Sequence, residues 1–256
     1  MKIQKLSQEW LKGIACVTML IDHLGFIVFP QVRWMRMVGR LAFPIYCFLL
    51  TEGMVHTRSR PVYMLRLLLT GILSEIAFDL AFYRGFTWEK QSVMVTLLIG
   101  AAMLWCMELI KKAMERPVSF LEGKNKYLGI LVEAFVMGQV FFPFHFIIGR
   151  FHSDYGWKGI FIIAMFATTY RLPLKNLIRA AFLVWLAYYS SSPVHFLGLE
   201  IPFQLPAALA AGLIALYSGK KLTRNRALQW GFQLFYPVHL LILWLLFRLD
   251  EGICVT

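Results

Sequence analysis

Long, continuous apolar stretches recur along the whole sequence and constrain its fold more than any other feature. A helix needs about 20 mostly apolar residues to cross a ~30 Å hydrocarbon layer, and most of the stretches are close to that length. They lack the polar alternation of a half-buried strand, which favours helices. The sequence therefore predicts an all-α, polytopic membrane bundle of about nine transmembrane helices. The stretches lie near residues 10–29, 39–56, 62–83, 92–110, 127–149, 157–170, 176–191, 203–217 and 228–248.

The composition excludes a soluble globular protein. Hydrophobic residues make up 59% of the chain and charged residues 16%, whereas a soluble domain carries about 25% charged residues. The 26 Lys and Arg residues exceed the 14 Asp and Glu residues and give a net charge of +12. Because Lys and Arg concentrate in the cytoplasmic loops of membrane proteins, this excess does not indicate a nucleic-acid partner.

The distribution of positive charge predicts the orientation in the membrane. With a cytoplasmic N-terminus and nine crossings, most of the 26 Lys and Arg residues fall on the inner side, as the positive-inside rule requires. They include Lys12, Arg66, Lys175, Arg179 and Lys221. We therefore expect a cytoplasmic N-terminus, an outer C-terminus and a single transmembrane domain over residues 1–256.

Ionisable residues interrupt the apolar stretches and predict a polar interior. A charged side chain at the centre of a spanning helix costs roughly 2.5–3.5 kcal/mol, so such residues face a cavity or a partner. Counting along the helices places them in two layers. The outer layer holds Asp22, His23, Arg40, Glu75 and Asp79, and the inner layer holds Glu52, His56, Arg58, Arg60 and Arg66.

Spacing along the helices indicates which of these groups share a face. Glu52 and His56 are four residues apart, as are Glu75 and Asp79, so each pair projects from one side of its helix. Adjacent residues are about 100° apart around a helix axis. Asp22 is therefore poorly placed to orient the neighbouring His23, and we expect it to pair with an opposite charge on another helix.

That opposite charge is predicted to be Arg40, which begins the second stretch at the outer level. In the last stretch, His239 follows Pro237 by two residues. Proline kinks a helix and frees a backbone carbonyl. Two roles are therefore open for His239: it packs between helices, or it lines a site.

The two layers allow more than one function. An outer histidine can act as a general base and inner arginines can hold phosphates. A structural ion-pair network, or a proton or ion path in a transporter, would use the same residue types. No metal site is expected, because the four cysteines lack the spacing of a zinc site.

Several ordered motifs resemble the TraX family of membrane acetyltransferases. The strongest is the stretch from Leu11 to Gly25, which ends in Ile21-Asp22-His23-Leu24-Gly25. The resemblance continues through Gly39-Arg40-Leu41-Ala42-Phe43-Pro44, Glu52-Gly53, His56-Thr57, Tyr63-Met64-Leu65-Arg66 and Ser74-Glu75-Ile76-Ala77-Phe78-Asp79. It is dense over roughly residues 10–110 and patchy beyond, where Tyr236-Pro237-Val238-His239-Leu240 is one echo. One departure is Ser92-Val93-Met94, where an Asn-bearing segment is expected.

The resemblance implies transfer of an acetyl group from cytosolic acetyl-CoA to an amine acceptor, such as a peptide or pilin-like N-terminus. The resemblance also implies that the protein is located in the bacterial cytoplasmic membrane. In that reading His23 is the base, and direct transfer and an acetyl-histidine intermediate both stay open. Arg40 stabilises the oxyanion or holds Asp22. Glu75 and Asp79 attract the amine, and the donor contacts come from Glu52, His56, Arg58, Arg60, Arg66 and His239.

Two other functions remain alternatives to the acetyltransferase. A proton- or ion-coupled transporter would use the intramembrane Asp, Glu, Arg and His residues, although the sequence shows no internal repeat of the kind common in transporters. A non-catalytic membrane scaffold would not need so many costly intramembrane charges. The sequence does not indicate the acceptor, the acyl chain length or the oligomeric state.

Overall fold

Ten α-helices form most of the protein, whose computed structural model describes residues 6–83, 85–124, 126–170, 172–196, 198–223 and 225–247. A 3-10 turn over Leu205–Ala208 precedes the ninth helix. In chain order the helices are α1 (Gln8–Ile27), α2 (Arg33–Gly39), α3 (Ala42–His56), α4 (Arg60–Tyr83), α5 (Val93–Lys124), α6 (Lys126–Arg150), α7 (Gly156–Thr168), α8 (Lys175–Ser190), α9 (Leu209–Ala215) and α10 (Arg226–Phe247).

Apart from α2, the helices coincide with the predicted apolar stretches, and the all-α class with candidate membrane spans is confirmed. By length and composition, four helical segments are able to cross a membrane, and shorter apolar helices accompany them. The four are Gln8–Ile27, Arg33–His56, Val93–Phe120 and Ala227–Phe247. The number of crossings and the cytoplasmic N-terminus remain predictions.

A short β-hairpin follows α8 and was not predicted. Its strands are β1 (Pro193–Phe196) and β2 (Leu199–Pro202), which pair antiparallel with Val194 opposite Ile201. Gly198 lies between the strands with a φ of 79°, a backbone conformation that favours glycine. Only four residues long, each strand gives little hydropathy signal beside the long apolar helices.

Helices α1 and α10 pack side by side and run in the same direction. Near their N-terminal ends Lys12 lies over the ring of Phe232, and further along both helices His23 meets His239. Helix α4 runs parallel to them, because Thr70 in its first half accepts a hydrogen bond from Gln233 on α10. If α1 and α10 both span the membrane, their common direction requires an odd number of crossings, with α1 and α10 included in the count. The nine predicted crossings are compatible with this.

The predicted second stretch, residues 39–56, forms α3, and a short helix that was not predicted, α2, precedes it. Helix α2 ends at Gly39 and α3 begins at Ala42, so Arg40 lies at the junction between them. Helix α2 lies against α1 because Gly39 has no side chain: a Cβ there would overlap the side chain of Asp22. The same approach at Gly25 would bring a Cβ against Met35. The two glycines thus allow the junction to deliver Arg40 to α1.

Replacing Gly39 with alanine is expected to destabilise the protein by about 1–3 kcal/mol, the usual cost of overpacking. The control is Gly13→Ala on α1, where an added Cβ meets nothing within 4 Å and alanine favours the helix. Thermal unfolding in detergent measures both. Equal unfolding temperatures for the two variants would contradict the close approach of α1 and α2.

Candidate functional site

Two histidines from opposite ends of the sequence form a buried pair. Nδ1 of His23 on α1 lies 2.6 Å from Nε2 of His239 on α10, and the two rings stack with centroids 4.9 Å apart. The exposed fractions are 8% for His23 and 6% for His239. Phe82 and Tyr236 pack edge-on against His23 at 5.4 and 5.9 Å. The structure thus joins two residues that the sequence analysis had assigned to different roles.

The hydrogen bonds determine which nitrogen of each neutral ring carries the proton. Nδ1 of His239 lies 2.5 Å from the backbone carbonyl oxygen of Phe235. A carbonyl only accepts, so Nδ1 of His239 must donate and its Nε2 must accept from Nδ1 of His23. Nε2 of His23 is then left without a hydrogen in the neutral pair. It has the free lone pair that a general base or a nucleophile requires.

Asp22 faces away from this pair and is held by two arginines. Its Oδ1 accepts from Arg40 at 2.6 Å and from Arg36 on α2 at 3.1 Å. The pairing of Asp22 with Arg40 is therefore confirmed, as is the expectation that Asp22 does not orient His23. Arg36 was missed, although it lies one helical turn before Arg40.

Aromatic rings cover the buried guanidinium of Arg40. The rings of Phe203 and Tyr155 lie 5.5 and 6.0 Å from its central carbon. Burial raises the pKa of Tyr155, so the phenol keeps its proton beside the cation. This ion pair and its rings fix the C-terminal end of α1.

Glu75 and Asp79 occupy different environments on α4. Glu75 accepts hydrogen bonds from the backbone nitrogen of Ser92 at 3.0 Å and from its hydroxyl at 2.7 Å. Asp79, 6% exposed, accepts one hydrogen bond through Oδ2, from the nitrogen of Thr87 at 3.2 Å. Its Oδ1 is buried and has no hydrogen-bond partner among the described residues. Ser92, at the departure from the family pattern, thus has a polar role in holding Glu75.

A cavity of about 770 Å³, here called the large cavity, lies between α1, α3, α4, α5 and α10. One end is polar and lies where α1 and α4 begin. That end is lined by Lys12, Glu52, His56, Arg66, Lys221 and Gln229. The middle is mostly apolar, with Met19, Leu49, Leu50, Leu67 and Leu97. The cavity therefore has the form of an apolar passage with cations at its mouth.

Tyr236 connects the large cavity with the histidine pair. Its side chain lines the cavity, and its ring is in edge contact with both His23 and His239. His23 itself is not among the residues that line the cavity. Tyr236 therefore lies between the large cavity and His23.

A second cavity of about 280 Å³, here called the Arg179 pocket, adjoins the polar end. It shares Glu52, His56, Tyr217 and Gly219 with the large cavity, and adds Lys175 and Arg179 from α8. Tyr217 lies in the wall between the two cavities.

The three arginines predicted to hold phosphates lie in different places. Arg66 lines the large cavity. Arg60 instead forms two hydrogen bonds with the carboxylate of Glu108 on α5, at 3.0 and 3.1 Å. Arg58 is exposed and lines neither cavity. Glu52 and His56 share a face as predicted, with Oε2 and Nδ1 3.6 Å apart.

Together these elements define a polytopic helical membrane protein with a buried histidine pair beside a cavity bordered by cations. Comparison with known proteins gives the family. The model described as TraX protein matches residues 7–247, and the chain belongs to the TraX family, as the motifs predicted.

Curated relatives match part of the chain. It is 38% identical over 79 residues to a probable fimbrial assembly protein FimC of Dichelobacter nodosus, covering 27% of this chain and 32% of that protein. It is 31% identical over 102 residues to a protein TraX of Escherichia coli, covering 39% of this chain and 40% of that protein. The matches thus span less than half the length of these relatives. No solved structure matches the chain.

Replacing Asp22 with asparagine is expected to destabilise the protein, because Arg36 and Arg40 would lose the carboxylate that pairs directly with both. Removing one partner of a buried pair costs up to about 3–5 kcal/mol. The control is Glu200→Gln, which breaks an exposed pair with His195 whose side chains are 63% and 81% exposed. That change should cost less than about 1 kcal/mol. Thermal unfolding would contradict the expectation if both variants lost the same stability.

Proposed function

We propose that the protein is a membrane acetyltransferase that moves an acetyl group from cytosolic acetyl-CoA to an amine, with a peptide or pilin-like N-terminus as the acceptor. The supporting observation is the lone pair on Nε2 of His23, beside the end of a cavity whose other end carries cations. A base, a passage and an anion-attracting mouth are what transfer from a long phosphorylated donor requires.

The large cavity fits the donor in size and polarity. Its volume of about 770 Å³ lies within the range of roughly 300–1,000 Å³ for small-molecule sites. Lys12 and His23 are about 16 Å apart along α1, so the cavity is long enough for an extended arm to enter from the cationic end. Lys12, Arg66 and Lys221 would attract the phosphates. Movement of Tyr236 would bring the thioester to His23.

His23 would remove the proton that prevents the acceptor amine from attacking. An α-amine has a pKa of about 7.7–8.0 and is partly protonated near neutral pH. Nε2 of His23 takes this proton, and the amine nitrogen then forms a bond to the thioester carbonyl carbon. The carbon–sulfur bond breaks, and the CoA thiolate takes up the proton that the nitrogen loses as the amide forms. His239 stabilises the imidazolium that forms, because its Nε2 accepts from Nδ1 of His23.

Two carboxylates on α4 would receive the acceptor. Asp79 has a buried oxygen without a partner among the described residues, and Glu75 lies one turn earlier. Phe82, also on α4, is in contact with His23. A cationic amine bound by Asp79 would therefore lie on the helix that packs against the base. The name of the FimC relative, a probable fimbrial assembly protein, agrees with a pilin-like acceptor.

The test is acetyl transfer by the purified protein in detergent, followed by CoA release and by mass spectrometry of an acceptor peptide. His23→Gln is expected to lower the rate by about 10²–10⁴-fold, the usual contribution of a general base. His195→Gln is the matched control, because His195 is exposed on the hairpin, and it should retain the wild-type rate.

Binding measurements separate the possible failures. The proposal requires that both wild type and His23→Gln bind acetyl-CoA, since the variant loses the base and keeps the cavity. Absence of acetyl-CoA binding to the wild type would overturn the proposal. Proton-coupled substrate flux in liposomes without acetyl-CoA would support the transporter instead.

A further inference from the structure

Arg179 is a deeply buried cation, and within the described residues the carboxylate that attracts it, Glu52, is not in direct contact with it. It lies on α8 with 2% of its surface exposed. Its Nε donates to the hydroxyl of Thr169 at 3.1 Å, and its guanidinium lies 5.5 and 5.2 Å from the rings of Phe48 and Phe166. Within the described residues, no carboxylate forms an ion pair with it at 4.0 Å or less.

Such an arrangement is costly unless something else neutralises the charge. A buried guanidinium has lost its hydration, and the fold normally compensates with a carboxylate. The two aromatic rings supply part of the compensation through cation–π contacts, and they hold the side chain in place. The remaining donors of a guanidinium form a planar fork that matches the oxygens of a phosphate.

The space beside Arg179 has the lining of an anion site. The Arg179 pocket has a volume of about 280 Å³ and is also lined by Lys175, Asn176, Ser218 and His56. These residues add a second cation and several hydrogen-bond donors. Glu52 is the one carboxylate among the described lining residues, and it lies 3.6 Å from His56. The chemistry of the pocket therefore favours an organic phosphate.

Two of the three arginines that the sequence predicted to bind phosphates line neither of the two cavities. Arg60 is bound to Glu108, and Arg58 lines neither cavity. The Arg179 pocket, by contrast, shares part of its wall with the large cavity through Glu52 and Tyr217. One elongated ligand can therefore occupy both spaces, with its phosphorylated end at Arg179 and its uncharged arm in the large cavity.

We infer that the Arg179 pocket binds the phosphorylated nucleotide end of the acyl-CoA donor, with Arg179 and Lys175 as the phosphate ligands. This inference rests on the proposed function for the identity of the ligand. It assigns the nucleotide to α8 and the loop after α9, and it leaves Arg66 and Lys12 to the part of the donor that enters the large cavity.

The experiment measures binding of adenosine 3′,5′-bisphosphate, acetyl-CoA and inorganic phosphate to the detergent-purified protein by calorimetry. Arg179→Gln should weaken binding of the bisphosphate and of acetyl-CoA at least about tenfold, since a charge-assisted hydrogen bond is lost. Arg179→Lys should recover part of the affinity. Arg116→Gln is the matched control, because Arg116 is an exposed arginine in the second half of α5 that lines neither cavity.

The unfolding temperature without ligand shows whether Arg179→Gln has a folding defect. Because Glu52 attracts Arg179 only at longer range than an ion pair, Arg179→Gln should unfold near the wild-type temperature, and only the stabilisation by ligand should be lost. Reconstitution into nanodiscs with and without phosphatidylglycerol distinguishes a lipid headgroup from the nucleotide. Stabilisation that depends on Arg179 and on phosphatidylglycerol, but not on the bisphosphate, would overturn the inference.

The remaining outcomes separate this inference from the proposed function. Equal acetyl-CoA affinity in wild type and Arg179→Gln would overturn the inference and leave the acetyltransferase intact. Bisphosphate binding that requires Arg179, in a protein that transfers no acetyl group, would support the pocket and overturn the proposed reaction. Absence of binding of every probe to the wild type would overturn both.

Discussion

Charge inside a hydrocarbon layer must be neutralised, and this requirement organises the bundle. Asp22 is compensated by Arg36 and Arg40, and Glu108 by Arg60, in contacts that join α1 to α2 and its junction, and α4 to α5. Each pairing fixes the position of one helix against another. Within the part of the chain that the structure describes, Asp79 has a buried oxygen without a hydrogen-bond partner and Arg179 forms no ion pair at 4.0 Å or less, so these two groups are the informative ones. They lie at the sites where we place the two ends of the reaction, the acceptor and the donor.

The histidine pair depends on the same packing. His23 reaches His239 because α1 and α10 run in parallel and in contact, and the carbonyl of Phe235 then determines the tautomer of both rings. The tautomer of His23 is thus determined by a backbone carbonyl of α10, a helix that is far from α1 in the sequence. Aromatic neighbours exclude water from it, and Tyr236 alone is shared with the large cavity. A dry, oriented imidazole next to a cavity is suited to chemistry on a thioester that water would otherwise hydrolyse.

The sequence predicted the parts of this structure that depend on local pattern. The positions of the apolar helices follow from their hydropathy, and the pairing of Asp22 with Arg40 follows from the cost of charge in a membrane. The contact of His23 with His239 could not be predicted, because the two residues are 216 positions apart and no spacing rule relates them. The role of Ser92 was missed because its importance lies in a hydrogen bond to another helix.

The distance of 216 residues between the paired histidines also has a consequence for biosynthesis. During translation, α1 enters the membrane long before the ribosome has made α10, so the first histidine waits without the partner that selects its tautomer. The reactive imidazole is therefore completed only when the bundle closes around it. A partly synthesised chain therefore carries no oriented base for the proposed transfer.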